Sequence, residues 1–299
     1  MIFMGDLYQL PPVVNQKHDA LFGEMYETPY FFSSHALKHF HMELIELDKI
    51  YRQKDQTYID LLNAIRNKTI TSQGLARLNE RYVPDFEPDE SQFFIYLTTT
   101  NAQAALINEK HLNKLDGRFH EFDAHVSGDY GKEYYPTLPV LQLKKGAQVM
   151  MLNNDAQQRW VNGTIGKIKD IYTDENGDEV VRVTLENGRT YIVARHNWEI
   201  HRLVMEDERM VPHVAGTFSQ YPMTLAWAVT IHKSQGKTFE RVIVDMGRGA
   251  FAHGQTYVAL SRCTTLEGMV LTKPLTQRDI LMDPCVVNYM THLHYQQYH

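Results

Sequence analysis

Two arginines lie far apart in this sequence. Arg52 sits in Tyr51-Arg52-Gln53 and Arg262 ends Tyr257-Val258-Ala259-Leu260-Ser261-Arg262. A guanidinium presents a planar fork that matches phosphate oxygens. Each arginine also has a plain explanation: a surface salt bridge for Arg52, a partner for a helix C-terminal dipole for Arg262. Arg52 is predicted at the end of a strand. Arg262 is predicted near a helix end, free to reach across a cleft. A third segment, Ala226 to Thr238 (AWAVTIHKSQGKT), places small hydroxyls, a histidine and two lysines around a glycine turn. Such groups suit a sugar–phosphate backbone, although a helix with a polar end explains them too. A fourth segment, Gly5 to Val13 (GDLYQLPPV), is stiffened by Pro11-Pro12 and carries Gln9, which can both donate and accept. A turn after a strand accounts for it equally well.

Gly236-Lys237-Thr238 imitates the end of a phosphate-binding loop. That loop requires G-x-x-x-x-G-K-[ST], and Ile231 stands where its first glycine belongs. Without that glycine the backbone N–H groups cannot wrap a β-phosphate. Asp245, ending VIVD, imitates a magnesium-holding acid but follows Gly236 too closely for a helix and a strand to intervene. The chain therefore has no Walker A loop of its own.

Hydrophobic periodicity indicates the elements that must position these groups. MIFM reads as the last part of a buried strand, which predicts that chain precedes Met1 or that Met1 stands in for an internal residue. Residues 42–53 alternate as a strand. Tyr58, Leu61, Leu62 and Ile65 recur at i, i+3, i+4 and i+7, a helix face over 57–67. A second helix is predicted over 74–82, a strand over 93–101, and a helix over 102–115 with Ala105, Leu112 and Leu115 among its apolar positions. Strands alternating with helices suggest a parallel sheet. From about Lys145 to Val211 the pattern changes to short strands. Asn176-Gly177 and Asn187-Gly188 are hairpin-turn dipeptides, and Val181, Val183 and Leu185 oppose Arg182 and Thr184. This reads as a small antiparallel β-barrel inserted in the α/β domain. The α/β pattern resumes near Pro222 with a helix-like TLAWAVTIHKSQG, a strand RVIVDMG, a helix over 254–263, a strand GMVLTKP and a helical tail after Asp279.

Composition bounds the class. In 299 residues the hydrophobic share is 43%, enough for sizeable cores. No stretch approaches a membrane span, and the acid and prolines of the N-terminus are unlike a signal peptide. Two cysteines, Cys263 and Cys285, are too few for a disulfide framework and lack metal spacing, so two free thiols in a reducing cytosol are expected. The 15 histidines form no zinc motif, and no metal site is expected. Net charge of −6 decides nothing about nucleic acid, because local basic residues do that.

The four segments are individually weak, but their order and spacing are specific. GDLYQLPPV resembles motif III of superfamily 1B helicases, the RecD/Pif-type group. IYRQ resembles motif IV, AWAVTIHKSQGKTFE motif V, and YVALSRCTTLEG motif VI. LTTTNAQAALIN and LKKGAQVMML…WVNGTIGKI are similar to connecting segments of that group. The resemblance runs from Gly5 to about Leu271.

The resemblance implies a fold and a set of roles. The fold would be a RecA-like parallel sheet flanked by helices, with an inserted Src-homology-3-like barrel. Residues 1–40 would be the remnant of a first RecA-like domain, 41–145 and 213–299 the second, and 146–212 the barrel. Arg52 and Arg262 would contact the γ-phosphate of ATP. Gln9 would link that phosphate to DNA. Gln235, Gly236 and Thr238 would lie near the nucleotide, and Thr99, Asn101, Thr230, His232, Lys233 and Ser234 along single-stranded DNA. ATP with Mg2+ would be held mainly by an N-terminal domain absent from the chain. The family implies 5′-to-3′ travel; a cytoplasmic setting is expected, and the sequence leaves the oligomeric state open, with a monomer favoured. Two rivals stand beside this reading: a nucleic-acid-binding module that lacks a motor half, and an interaction domain that reuses the fold.

Overall fold

The structure, a computed structural model, describes residues 2–14, 23–37, 45–47, 49–89, 91–175, 177, 179–206 and 209–298. In chain order the main helices are α1 (Gln56–Arg66), α2 (Ser72–Asn79), α3 (Asn101–Lys114), α4 (Ile231–Ser234), α5 (Gln255–Ser261) and α6 (Pro284–Tyr298). The strands are β1 (Ile95–Thr98), β2 (His120–Asp123), β3 (His125–Gly128), β4 (Val140–Leu143), β5 (Gln148–Met151), β6 (Ile165–Thr173), β7 (Glu179–Leu185), β8 (Thr190–Val193), β9 (His196–Glu206), β10 (Arg209–Gln220), β11 (Met223–Leu225), β12 (Ala228–Thr230), β13 (Val242–Asp245) and β14 (Met269–Leu271). The fold is α/β, as expected. It divides into two compact units: residues 1–88, 96–101 and 230–299 form the first, and 89–95 and 102–229 the second.

The first unit carries the candidate site. The Asp55 side chain accepts the Tyr58 N–H and starts α1, which buries Tyr58, Leu61, Leu62 and Ile65, the face its periodicity predicts. Thr71 starts α2 in the same way by accepting the Gly74 N–H. In this unit β13 runs parallel to β14, with Val242, Ile243 and Val244 opposite Met269, Val270 and Leu271. All six of those side chains are buried, as strands covered on both faces require. Helix α1 packs against α5.

Several expectations need correction here. Residues 2–5 of the MIFM-Gly run form no strand and lie exposed, Met4 at 94%. Among the described residues of 42–53 there is also no strand, and Ile45, Leu47 and Tyr51 are exposed; residues 42–44 and 48 lie outside the described set. Alternation supplies a strand's side-chain pattern, whereas the ladder that makes it a strand must come from elsewhere in the chain. The segment TLAWAVTIHKSQG is not one helix: it holds the end of β11, all of β12 and, as its helical part, the four residues of α4. Thr230 ends the strand and caps the turn by accepting the Lys233 N–H. Helix α3 buries Ala104 and Leu112 rather than Ala105, which is exposed. Asn108, one turn from each, exchanges two 2.8 Å hydrogen bonds with the backbone of Ala228.

The sheets of the second unit are antiparallel. They are β2-β4, β3-β10-β9 and β11-β5-β6-β7-β8. Val181, Val183 and Leu185 face inward and Arg182 and Thr184 are half-exposed, as alternation predicts. Burying each such side chain stabilises the unit by roughly 1.5–3 kcal/mol. They join Phe122, Leu141, Leu143, Val149, Met151 and Tyr221 in one core. The β7–β8 turn holds Asn187-Gly188, with Gly188 at φ 79°. In the β6–β7 turn Gly177 has φ 85°, and Asn176 lies outside the described residues. The long β9–β10 hairpin, with a bulge between Val214 and Gly216, was not legible as such. Among the described residues, no helix is long and apolar enough to cross a membrane. Cys263 is buried and Cys285 exposed, both free.

Candidate active site

A helix leaves its last four carbonyls without intrahelical donors. At the end of α5 side chains from two directions supply them. The Tyr58 hydroxyl donates to Leu260 O (2.7 Å), and Gln53 Nε2 donates to Ser261 O (3.1 Å) and Cys263 O (2.7 Å). Arg52 Nη1 also donates to Ser261 O (3.0 Å), while Arg262 Nε turns back onto Val258 O (3.0 Å). The helix dipole favours cations at this end.

The same two arginines bracket the loop after α4. Arg52 Nε donates to Thr238 Oγ1 (2.9 Å), Arg262 Nη1 donates to Lys237 O (3.2 Å), and Arg262 Nη2 donates to Ser261 Oγ (2.8 Å). Arg262 is only 2% exposed, so it is not free to reach across a cleft. The sequence shows an arginine near a helix end but not the side chains that enclose it. Burial, and then the neighbouring Arg52 charge, push Arg262 down to about 10, still cationic at neutral pH. Burial also lowers Arg52, opposed by Tyr257 and Tyr58. Among the described residues neither guanidinium forms a salt bridge. Two cations in one partly dehydrated place repel one another, and an anion with several oxygens relieves both.

The other expected residues separate by exposure. Gln9 accepts from Gln235 Nε2 (3.2 Å) and donates to Asp6 Oδ2 (3.1 Å), which joins two of the four segments. Gln235, Gly236 and Thr238 are exposed, with Gly236 turning the chain at φ 79°. Lys233 and Asn101 are exposed and His232 half-exposed; burial lowers the His232 pKa, which favours the neutral ring. Thr99, Thr230 and Ser234 are buried. The Ser234 hydroxyl donates to Ile231 O (2.7 Å) and shapes α4 from inside. Lys237 is half-buried, which depresses its pKa.

Sequence reasoning missed Gln53, Tyr58 as a hydroxyl donor, and the pair His253-Gly254. Gln53 stood beside Arg52 in the quoted motif. Nothing local distinguishes a glutamine that caps a distant helix from a solvated one.

No protein-family model matches the chain. The ATP-dependent DNA helicase Pif1 of Bdellovibrio bacteriovorus is 30% identical over 296 residues, covering 97% of this chain and 61% of that protein. Pif1 from Bacteroides sp., solved in complex with ADP-AlF4, superposes with a TM-score of 0.83 at 32% identity and covers 98% of this chain and 66% of that one. Pif1 helicase from Candida albicans gives a TM-score of 0.70 at 30% identity, over 98% and 67% of the two chains. The chain belongs to the Pif1 family of helicases, and it spans about three fifths of the length of the bacterial relative.

Proposed function

We propose that this chain supplies the arginine-bearing side of an ATP-dependent DNA helicase that moves on single-stranded DNA. The observation that carries the reading is the convergence of Arg52 and Arg262 on Thr238 and Lys237 with no salt-bridging carboxylate among the described residues. The donor set fits a triphosphate: two guanidiniums and a hydroxyl suit γ-phosphate oxygens. When bound, ATP supplies the phosphoryl group whose transfer drives movement, with Mg2+ held mainly by residues of a Walker A-bearing domain. Arg52 and Arg262 stabilise the charge that spreads over the transferring group; in GTPases such a finger is worth roughly 10³–10⁵ in rate. Gln235, Gly236 and Thr238 line the nucleotide side. Gln9 relays phosphate state towards the DNA. Asn101, His232 and Lys233 meet the strand, while Thr99, Thr230 and Ser234 shape the surface beneath them. Residues 41–145 and 213–299 make the RecA-like domain in this reading, 146–212 its barrel insertion, and 1–40 part of a preceding domain. The setting is cytoplasmic.

One observation favours a second reading, a nucleic-acid-binding module without a motor: Arg262 already has three partners inside its own unit. Strand separation tells them apart. A polypeptide joining a Walker A-bearing domain to this chain should unwind a forked duplex with ATP and stop doing so when Arg52 is replaced by Ala. Strong DNA binding with no unwinding would favour the module.

A further inference from the structure

Residues Gly5–Pro12 contain no regular helix or strand, yet they are anchored at several points. The Leu7 carbonyl accepts from His253 Nε2 at 2.8 Å. His253 Nδ1 accepts the Asp283 N–H at 2.9 Å, which leaves Nε2 as the nitrogen that donates to Leu7. The next residue, Gly254, has φ 68° and begins α5. A Cβ there would lie 2.4 Å from Tyr8 O and 2.7 Å from Gln9 C, so only glycine allows the Tyr8–Gln9 backbone to lie this close. The Gly254 N–H donates to Leu281 O (3.2 Å). Leu7 and Tyr8 pack on Tyr30, Val286 and Met290, and the Arg66 guanidinium covers the Tyr8 ring at 4.0 Å.

Helix α5 runs from this anchor to the arginine pair, about 10 Å at 1.5 Å per residue. One end of the helix holds the backbone next to Gln9, and the other carries Arg262. Gln9 in turn holds Gln235, two residues from the Lys237 carbonyl that Arg262 binds.

We propose that His253 and Gly254 are positioning residues: they dock Gly5–Pro12 on the first turn of α5, so that a shift of the arginine pair is passed through the helix to Gln9 and Gln235. The docking is a property of the structure. The meaning of the shift rests on the reading of Arg52 and Arg262 given above.

Hydrogen–deuterium exchange on the whole chain tests this with three variants. His253→Asn keeps an acceptor for the Asp283 N–H but is too short to reach Leu7 O. His253→Gln keeps a donor near the position of Nε2. Gly254→Ala drives a methyl into Tyr8 O. We expect exchange over residues 5–12 to speed up tenfold or more in His253→Asn and Gly254→Ala, and about threefold over 235–238, with α5 within twofold. His253→Gln should return both segments to within threefold of the unaltered chain. Unchanged exchange over 5–12 in His253→Asn overturns the proposal. So does a glutamine that behaves like the asparagine, or loosening of α5 in step with the other segments, which marks a purely structural role. A parallel titration with a fluorescent thymidine oligonucleotide separates the two claims. Absence of binding by the unaltered chain strikes the functional reading alone, because the exchange rates need no ligand.

Discussion

Arg52 and Arg262 hold the same residue from two sides: Arg52 donates to the carbonyl of Ser261 and Arg262 to its hydroxyl. Ser261 Oγ also donates to Val258 O (3.1 Å). Ser261→Ala leaves the carbonyl, and with it the Arg52 contact, but strips a buried donor of Arg262 of its partner. The expected cost is about 1–3 kcal/mol. Urea denaturation should show a lower midpoint with an unchanged slope. A midpoint equal to that of the unaltered chain would mean that the hydroxyl bridge contributes nothing.

The chain alone is expected to show no measurable ATP hydrolysis. Ile231 occupies the position of the loop's first glycine, and the Thr238 hydroxyl is engaged by Arg52 rather than open to a metal ion. Phosphate release assayed with the purified chain, ATP, Mg2+ and oligonucleotide checks this, and robust turnover contradicts it.

Single-stranded DNA should bind weakly and with strong salt dependence, through exposed groups such as Lys233. Replacing Lys233 by Ala should lower the slope of log affinity against log salt by about 0.7, one phosphate contact on a single strand. Anisotropy titrations at several salt concentrations measure it. Affinity that ignores salt would contradict a phosphate-tracking surface.

Acid sensitivity in the second unit should run through Asp155. Side-chain hydrogen bonds from Arg159 hold its carboxyl down to about 2, against partial burial that raises it. A depressed carboxylate stabilises the fold above its unfolded pKa, and that contribution is lost as pH falls from about 4 through about 2. Asp155 is well covered but Arg159 is partly solvated, so the contribution is about 1–2 kcal/mol. Asp155→Asn should lower stability by that amount at pH 7 and flatten the fall between pH 4 and 3 in urea titrations. An unaltered acid slope would place the effect elsewhere.

What the sequence showed and what it hid follow from range. The α1 face of Tyr58, Leu61, Leu62 and Ile65 is a local period, and so is the alternation of Val181, Val183 and Leu185. Both were legible, as was the Asn187-Gly188 turn. MIFM and 42–53 misled, because a strand needs a partner supplied by distant chain. In AWAVTIHKS, Val229 and Thr230 are β-branched and belong to a strand, yet the apolar spacing imitates a helix. At the site, residue types announced Arg52 and Arg262. The bonds that gather the end of α5 beside them, from Tyr58 to Leu260 and from Arg52 and Gln53 to Ser261, join residues more than 200 apart. Gly254 was invisible for the same reason, since its necessity comes from the backbone of Tyr8 and Gln9.

The central claim is that two guanidiniums serve one phosphoryl group, and a double-mutant cycle in single-turnover ATP hydrolysis tests it most directly. In a polypeptide that carries a Walker A loop upstream, Arg52→Gln and Arg262→Gln should each slow hydrolysis by about 10³ or more. The double variant should be little slower than either, because groups that act on the same charge are not additive. Independent, fully additive losses, or rates within tenfold of the unaltered protein, would contradict it.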